Sequence, residues 1–541
     1  MKNKTILGVF IVIILCLSGC GKKPNSHLSY LPDNTAFIVS AQLGMIMEKA
    51  DYESALDSKA GQFFFEQLKK RKVPSIIKKA ITNPQDMGLD LNSPTYLFAE
   101  GFNKYKKTNN SWQSSDPQPM NMGMIVPVLD AGILANKFQM VSDLAPEDQI
   151  DEKQTDKFHY LMIKERNYRT NLMRNVAALG YNSEVAIFVF HDHEYDEYGS
   201  KNWLDEIETL LDGSKPNDIL KSKPGIDDLG NYDLGFWADL TSVGDVVKQE
   251  LEQRSPKLQN KIVSYEGSYV TAGLKLDLGL IGFEVKSYLN DKMKKQYNPD
   301  FFNQKIGKNL VNKFPNDPMA GLGFAINLKE FGKLFSSIDD DEIKKTIEGI
   351  ERVSGLSLDK LLSIPSGNIL AVLYDINLNR NELDYAIGLG LNDPETLIKL
   401  ANEKGPLKFV NNEPIMLGEN MSVVFNDNYI FLSNPDLVSS LKSGNSNSTF
   451  ESEIPQKPSS SNFYAFADAN QFIREIPANR KDERMLKDAL LNAQLGMIDT
   501  GIMSDKYSLG IYTNIRLKNT ESNPLSIISE IALETFGDLI D

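Results

Sequence analysis

One stretch of sequence sets the pattern for the rest of the chain: Ala320-Gly321-Leu322-Gly323-Phe324-Ala325-Ile326-Asn327-Leu328, followed by Phe331 and Phe335. Small and large apolar residues alternate along this stretch, and a period of two is typical of a β-strand. The spacing of the two phenylalanines that follow fits one face of an α-helix. The stretch therefore predicts a strand that leads through a short polar step into an amphipathic helix.

The same strand-helix unit recurs at residues 35–49, 233–247 and 462–476. Other elements return in the same order between these units, among them the steps Gly88-Leu89-Asp90-Leu91 and Gly355-Leu356-Ser357-Leu358. A repeated order of elements predicts an internal duplication. The alternative is that apolar strand-helix units simply resemble one another.

The repeats predict an α+β fold of two related halves, residues 31–300 and 312–541. Turn residues such as Asn426-Asp427-Asn428 separate apolar runs and favour hairpins, so we expect mixed or antiparallel sheets rather than a doubly wound parallel one.

The N-terminus has the pattern of a bacterial lipoprotein export signal. Lys2 and Lys4 precede an apolar stretch at residues 6–17, and small residues lead to Cys20 in Leu17-Ser18-Gly19-Cys20. The apolar stretch is shorter than the roughly 20 residues that a membrane-spanning helix needs. We predict a cleaved signal peptide over residues 1–19, lipidation of Cys20 by acyl chains such as palmitate, and a short tether at 20–30. The alternative is an ordinary cysteine at the end of an uncleaved anchor.

Charge and cysteine content exclude several classes of function. The formal net charge of the chain is -15, which argues against binding to nucleic acid or to anionic lipid. The chain has two cysteines, Cys16 and Cys20, and both lie in the signal region. We therefore expect a mature chain without disulfides, thiolate metal sites or a cysteine nucleophile.

The lipoprotein signal and the opening Leu31-Pro32-Asp33-Asn34-Thr35-Ala36-Phe37-Ile38-Val39-Ser40 resemble the domain of unknown function 4836 family of Bacteroidetes lipoproteins. The resemblance implies an envelope lipoprotein and supplies no catalytic residues. Gly21-Lys22-Lys23 lacks an acidic surface-export run, so we expect the periplasmic face of the outer membrane.

The strongest candidate for chemistry is His191-Asp192-His193-Glu194, where imidazoles and carboxylates could hold a divalent metal ion. A solvated acidic loop explains the same residues. A third histidine would have to come from His159. Ser-x-x-Lys spacings, such as Ser357 with Lys360, lack the other motifs of serine-lysine enzymes and are expected by chance.

The sequence thus predicts a non-enzymatic envelope protein, anchored through the lipid on Cys20, that binds an envelope protein or ligand without a cofactor. The alternative is an envelope hydrolase that uses carboxylates, with a metal site near His191 and His193.

Overall fold

The computed structural model describes residues 26–49, 62, 84–100, 121–142, 149–166, 173–191, 203–212, 222–241, 244, 264–297, 301, 303–337, 341–377, 382–405, 408–410, 413–443, 461–478, 480–504, 508–521, 523–525 and 527. Contacts divide the chain into two compact units. Unit 1 comprises Met1–Leu278, Val285–Asn290 and Asn523–Ser526, and unit 2 comprises Gly279–Glu284, Asp291–Ser522 and Ile527–Asp541.

Unit 1 is built from strands with a few short helices. Its strands are β1 (Phe37–Ala41), β2 (Thr95–Ala99), β3 (Asn121–Pro127), β4 (Ile150–Gln154), β5 (His159–Arg166), β6 (Met173–Tyr181), β7 (Val185–His191), β8 (Leu234–Asp239) and β9 (Tyr269–Asp277). Its α-helices are α1 (Leu43–Lys49), α2 (Ala131–Ser142) and α3 (Ile207–Asp212), and 3-10 helices span Ser26–Tyr30, Pro84–Met87, Trp203–Glu206 and Ile226–Asn231.

The strands of unit 1 form an antiparallel sheet in the order β4-β5-β6-β7-β3-β2-β1-β8-β9. One face of the sheet carries the main core, in which Ile38, Tyr96 and Trp237 are fully buried. A second cluster forms on the other face, where Leu134 and Phe138 of α2 lie in the same cluster as Met124 and Val126 of β3. Apolar residues on both faces of β3 explain why both faces are covered there.

Unit 2 contains strands β11 (Ala320–Ala325), β12 (Pro365–Asn377), β13 (Glu382–Leu391), β14 (Pro414–Met416), β15 (Ser422–Asn426), β16 (Tyr429–Ser433), β17 (Phe463–Asp468), β18 (Leu495–Ser504) and β19 (Ser508–Leu517). Its helices are α4 (Asp291–Tyr297), α5 (Lys308–Val311), α6 (Leu328–Ser337), α7 (Asp341–Ser354), α8 (Leu358–Ser363), α9 (Pro394–Lys404), α10 (Val438–Ser443), α11 (Ala469–Glu475) and α12 (Lys481–Asn492), and a 3-10 helix spans Pro435–Leu437. Strand β10 (Leu280–Tyr288) is divided between the units.

The strands of unit 2 are antiparallel in the order β14-β15-β16-β13-β12-β11-β17-β18-β19. We call the core-facing side of this sheet its inner face. The inner face buries Leu370, Phe431, Tyr464 and Phe466 against α5 and its neighbours. Small residues such as Gly323 leave room for the core, since a Cβ there would lie 2.8 Å from Ile306.

The predicted α+β class is confirmed, and of the two expected sheet types the antiparallel one is found. Cys20 and the predicted signal peptide lie outside the described residues. The predicted tether extended to residue 30, but Leu28 is already buried in the core of unit 1. In the part of the chain that the structure describes, no helix is long and apolar enough to cross a membrane.

Candidate functional site

His191, the strongest sequence candidate for a metal ligand, is buried at the end of β7. Its cross-strand neighbour is Asn121, whose side-chain oxygen lies 2.6 Å from His191 Nδ1. An amide oxygen only accepts, so Nδ1 carries the proton and donates it. Asn121 also accepts from the backbone N–H of Trp203 and donates to Glu100. These contacts hold the end of β7 in place.

His159 lies in a different environment, at the start of β5. Its Nε2 lies 2.6 Å from a carboxylate oxygen of Glu152 on β4. Its ring centroid lies 4.8 Å from that of Phe138 and 5.7 Å from that of Tyr181. The imidazole therefore packs among aromatic rings and joins β4 to β5.

The two described histidines of the sheet do not form one site. His159 lies opposite Tyr181, and Tyr181 lies opposite Ala186, five residues before His191 on β7. Five residues of strand and two strand spacings put the histidines roughly 19 Å apart. A three-histidine site that recruits His159 is therefore excluded by geometry. His193 and the acidic residues after it lie outside the described residues, and the described residues contain no metal-binding group of three or more His, Cys, Asp or Glu side chains.

The Ser-x-x-Lys spacing at Ser357 has a structural role. The Ser357 hydroxyl caps α8 by accepting from the backbone N–H of Lys360. Lys360 Nζ lies 2.9 Å from the carboxylate of Asp393. Both side chains are engaged in holding helix ends, as expected for a chance match.

Asp499 is a buried carboxylate on the inner face of β18. It accepts from Asn514 at 3.1 Å, and Arg516 Nε lies 3.6 Å from its other oxygen. Burial raises the pKa of the Asp499 carboxyl above its ordinary value, while Asn514 and Arg516 act in the opposite direction. Desolvation is the larger effect, so ionised Asp499 lowers the stability of the fold.

We expect Asp499→Asn to raise the free energy of unfolding at pH 7 by about 1 kcal/mol, because the amide still accepts from Asn514 without a buried charge. The raised pKa means that the folded state binds the proton more tightly than the unfolded one. The wild-type chain therefore gains stability as the pH falls through the folded pKa towards the ordinary carboxyl value, and the advantage of the variant shrinks there. Urea unfolding of both chains at pH 7 and pH 4.5 measures this. A variant less stable than wild type at pH 7 would show that the Arg516 pair outweighs desolvation.

The outer face of the unit 2 sheet, opposite the core, carries mostly apolar and partly exposed side chains. The strand register aligns its side chains in three rows that cross the sheet. The central row is Leu432, Ile387, Ala371, Leu322, Ala465, Thr500 and Thr513; the flanking rows are Ile430, Leu389, Ile369, Phe324 and Phe463, and Tyr385, Leu373, Ala320, Ala467, Ile498 and Ile515. We call these residues the outer patch.

No residue of the outer patch is charged, and none is buried. Leu322 at its centre is 43 % exposed, whereas its inner-face neighbours Gly323 and Leu370 are buried. At strand spacings of about 4.8 Å, the patch covers roughly 30 Å by 20 Å, or ~600 Å². This size is at the upper end of the ~300–600 Å² of the largest apolar patch on a typical monomer, and such patches are often functional. The outer patch is therefore the candidate functional site.

The outer patch was not among the sites predicted from the sequence, although the sequence contains a signal for it. The run Ile369-Leu370-Ala371-Val372-Leu373 is apolar at every position, so the strand presents apolar side chains on both faces. An antiparallel strand of this kind needs cover on both sides. The sequence does not tell which strands lie beside this one, so it does not show that neighbouring strands also have apolar side chains on both faces.

Comparison of the chain with protein-family models, with curated proteins and with solved structures yields no match in any of the three.

Proposed function

We propose that this protein is a lipid-anchored envelope protein that acts by binding a partner protein through the outer patch. The size and composition of the patch support this proposal. Its ~600 Å² is close to the ~800 Å² that each partner contributes to a standard protein interface. A sheet face suits a protein surface better than a small molecule, which is usually held in a concave cleft.

Charge also favours a protein partner. The outer patch carries no charged side chain, and the chain as a whole is acidic at -15. Nucleic acid and anionic lipid surfaces attract basic proteins, so neither is complementary to the outer patch. Apolar burial is the interaction that such a patch offers.

The anchor part of the proposal is supported by the sequence alone. Basic residues, a short apolar stretch and the small residues before Cys20 are what a lipoprotein signal requires. We place the protein on the periplasmic face of the outer membrane, held by the lipid on Cys20.

Matching strand orders support a duplication as the origin of the two units. Without β4, the strand order of unit 1 is β5-β6-β7-β3-β2-β1-β8-β9. Without β19, the strand order of unit 2 is β14-β15-β16-β13-β12-β11-β17-β18, and the two orders match strand for strand. Side chains match as well. Asn182 directly follows β6, and its side chain donates to the backbone carbonyl of Leu211 in α3. Asn426 ends β15, the equivalent strand, and its side chain donates to the backbone carbonyl of Leu441 in α10. Asp130 and Asp393 both accept from backbone N–H groups at the start of equivalent helices.

Two variants of the full chain test the proposed function. Cys20→Ala removes the acylated atom, so we expect the protein to leave the membrane fraction, which fractionation of envelope membranes measures.

Leu322→Asp places a charge in the middle of the outer patch. We expect that crosslinking in intact cells no longer captures the partner.

The matched control is Val353→Asp on α7, because Val353 is 75 % exposed and is not part of the patch. If wild type, Leu322→Asp and Val353→Asp give the same crosslinked products, the outer patch is not the binding surface.

A further inference from the structure

We infer that the partner at the outer patch is a second copy of this chain, with the two patches packed face to face. This inference rests on the proposed function, because it names the partner of the same surface. Two antiparallel sheets commonly pack in this way, about 10 Å apart, with the side chains of their facing surfaces interdigitated.

The central row of the patch has the shape that self-association requires. Leu322 projects from β11, and the residues directly opposite it are Ala371 on β12 and Ala465 on β17. One large side chain thus stands between two small ones. If the second copy is shifted by one strand, each Leu322 lies over an alanine of the other copy. A two-fold axis produces both contacts at once, so the central row is complementary to itself.

The area is sufficient for a stable dimer. Two patches of ~600 Å² bury ~1,200 Å² together, at the lower end of the range for specific interfaces. The patch carries no charge, so juxtaposing two copies creates no like-charge repulsion within it. Copies that are tethered to one membrane also meet at a raised effective concentration.

In unit 1 the equivalent surface is covered at β3, although Val39 of β1, which holds the place of Leu322, is 37 % exposed. Strand β3 has the place in unit 1 that β13 has in unit 2, and its Met124 is buried in a cluster with Phe138 of α2. In unit 2, the corresponding helix α9 contains no buried residue, and Ile387 of β13 is exposed. Helix α9 thus does not give β13 the cover that α2 gives β3, and we assign that cover to the second copy.

The low cysteine content permits a sharp test in the full, membrane-anchored chain. The sequence has no cysteine besides Cys16 and Cys20. Under the proposed function Cys16 is removed with the signal peptide and the lipid occupies Cys20. In Leu322→Cys, a short bis-maleimide reagent should link two copies into a species of twice the chain mass. Wild type and Val353→Cys are the controls, and neither should give this species.

A second measurement uses the chain with Leu322→Asp. Sedimentation of the purified full chain in mild detergent should show a dimer for wild type and for Val353→Asp. For Leu322→Asp, the dissociation constant of the dimer should rise at least about tenfold. Its far-ultraviolet circular dichroism should match wild type, because Leu322 is exposed.

The inference is overturned if Leu322→Cys gives no crosslinked dimer and the wild-type chain sediments as a monomer. If Leu322→Asp nevertheless loses a different protein from the cellular crosslinks, the proposed function stands and only the identity of the partner changes. If the variant loses nothing in cells, both fail.

Discussion

Replacing Gly367 by alanine is expected to lower the free energy of unfolding by about 4 kcal/mol, the largest effect of a single added methyl group that we predict for unit 2. Gly367 has φ 82, a left-handed conformation that side chains disfavour. A Cβ at this position would lie 2.0 Å from the backbone oxygen of Ile326. That oxygen belongs to backbone and cannot swing away, so β12 and the segment after β11 would have to separate.

Gly355→Ala provides the matched control. Gly355 has φ 74, nearly the same conformation, but its Cβ would meet nothing within 4 Å. We expect only the conformational penalty there, about 1 kcal/mol. Urea unfolding of the two variants compares the costs directly. Equal losses would show that the backbone around Gly367 relaxes and that the close contact contributes little.

The second large effect is expected from Asp233→Ala in unit 1, at about 3 kcal/mol. The carboxylate of Asp233 lies 2.7 Å and 2.8 Å from Lys49 Nζ through its two oxygens. It also accepts from the backbone N–H of Leu276 at 2.6 Å. Removal leaves that buried N–H without its acceptor and takes away the main partner of a mostly buried ammonium group.

Asp277→Ala is the control for the charge of Lys49. Asp277 Oδ1 lies 3.2 Å from the same Nζ, but its side chain is 61 % exposed, against 3 % for Asp233. Exposed ion pairs contribute at most about 1 kcal/mol, so this variant should unfold nearly as wild type does. Similar losses for both variants in thermal or urea unfolding would contradict the view that burial sets the value of the Asp233 contacts.

The strand-helix units show which parts of the fold the local sequence pattern predicts. The stretch from Ala320 to Leu328 was predicted as a strand that leads into a helix, and β11 and α6 confirm it. Alternation and helical spacing are local properties of the chain, so they survive in the fold. The predicted hairpin at Asn426-Asp427-Asn428 is also present, between β15 and β16.

The candidate sites show the opposite case. His191 and Asn121 are 70 positions apart in the chain, yet their side chains are hydrogen-bonded because β3 and β7 are neighbours. Nothing in the spacing of these residues indicates that contact. His159 and His191 are closer in sequence, but the sheet keeps them roughly 19 Å apart. The sequence therefore allowed a metal site that uses both histidines, and the fold excludes it.

Composition and the order of the elements predicted an α+β chain, which the fold confirms, because these features depend on neighbouring residues. Two similar halves and a lipid anchor on Cys20 stay predictions from the same kind of local pattern. Which apolar side chains share a surface could not be predicted in this way, because it depends on how the strands pair. Leu322, Ala371 and Ala465 become one surface only when β11 lies between β12 and β17 in one register. A shift of one residue would turn these side chains into the core. Long-range strand pairing thus decides which apolar residues lie in the core and which form the outer patch.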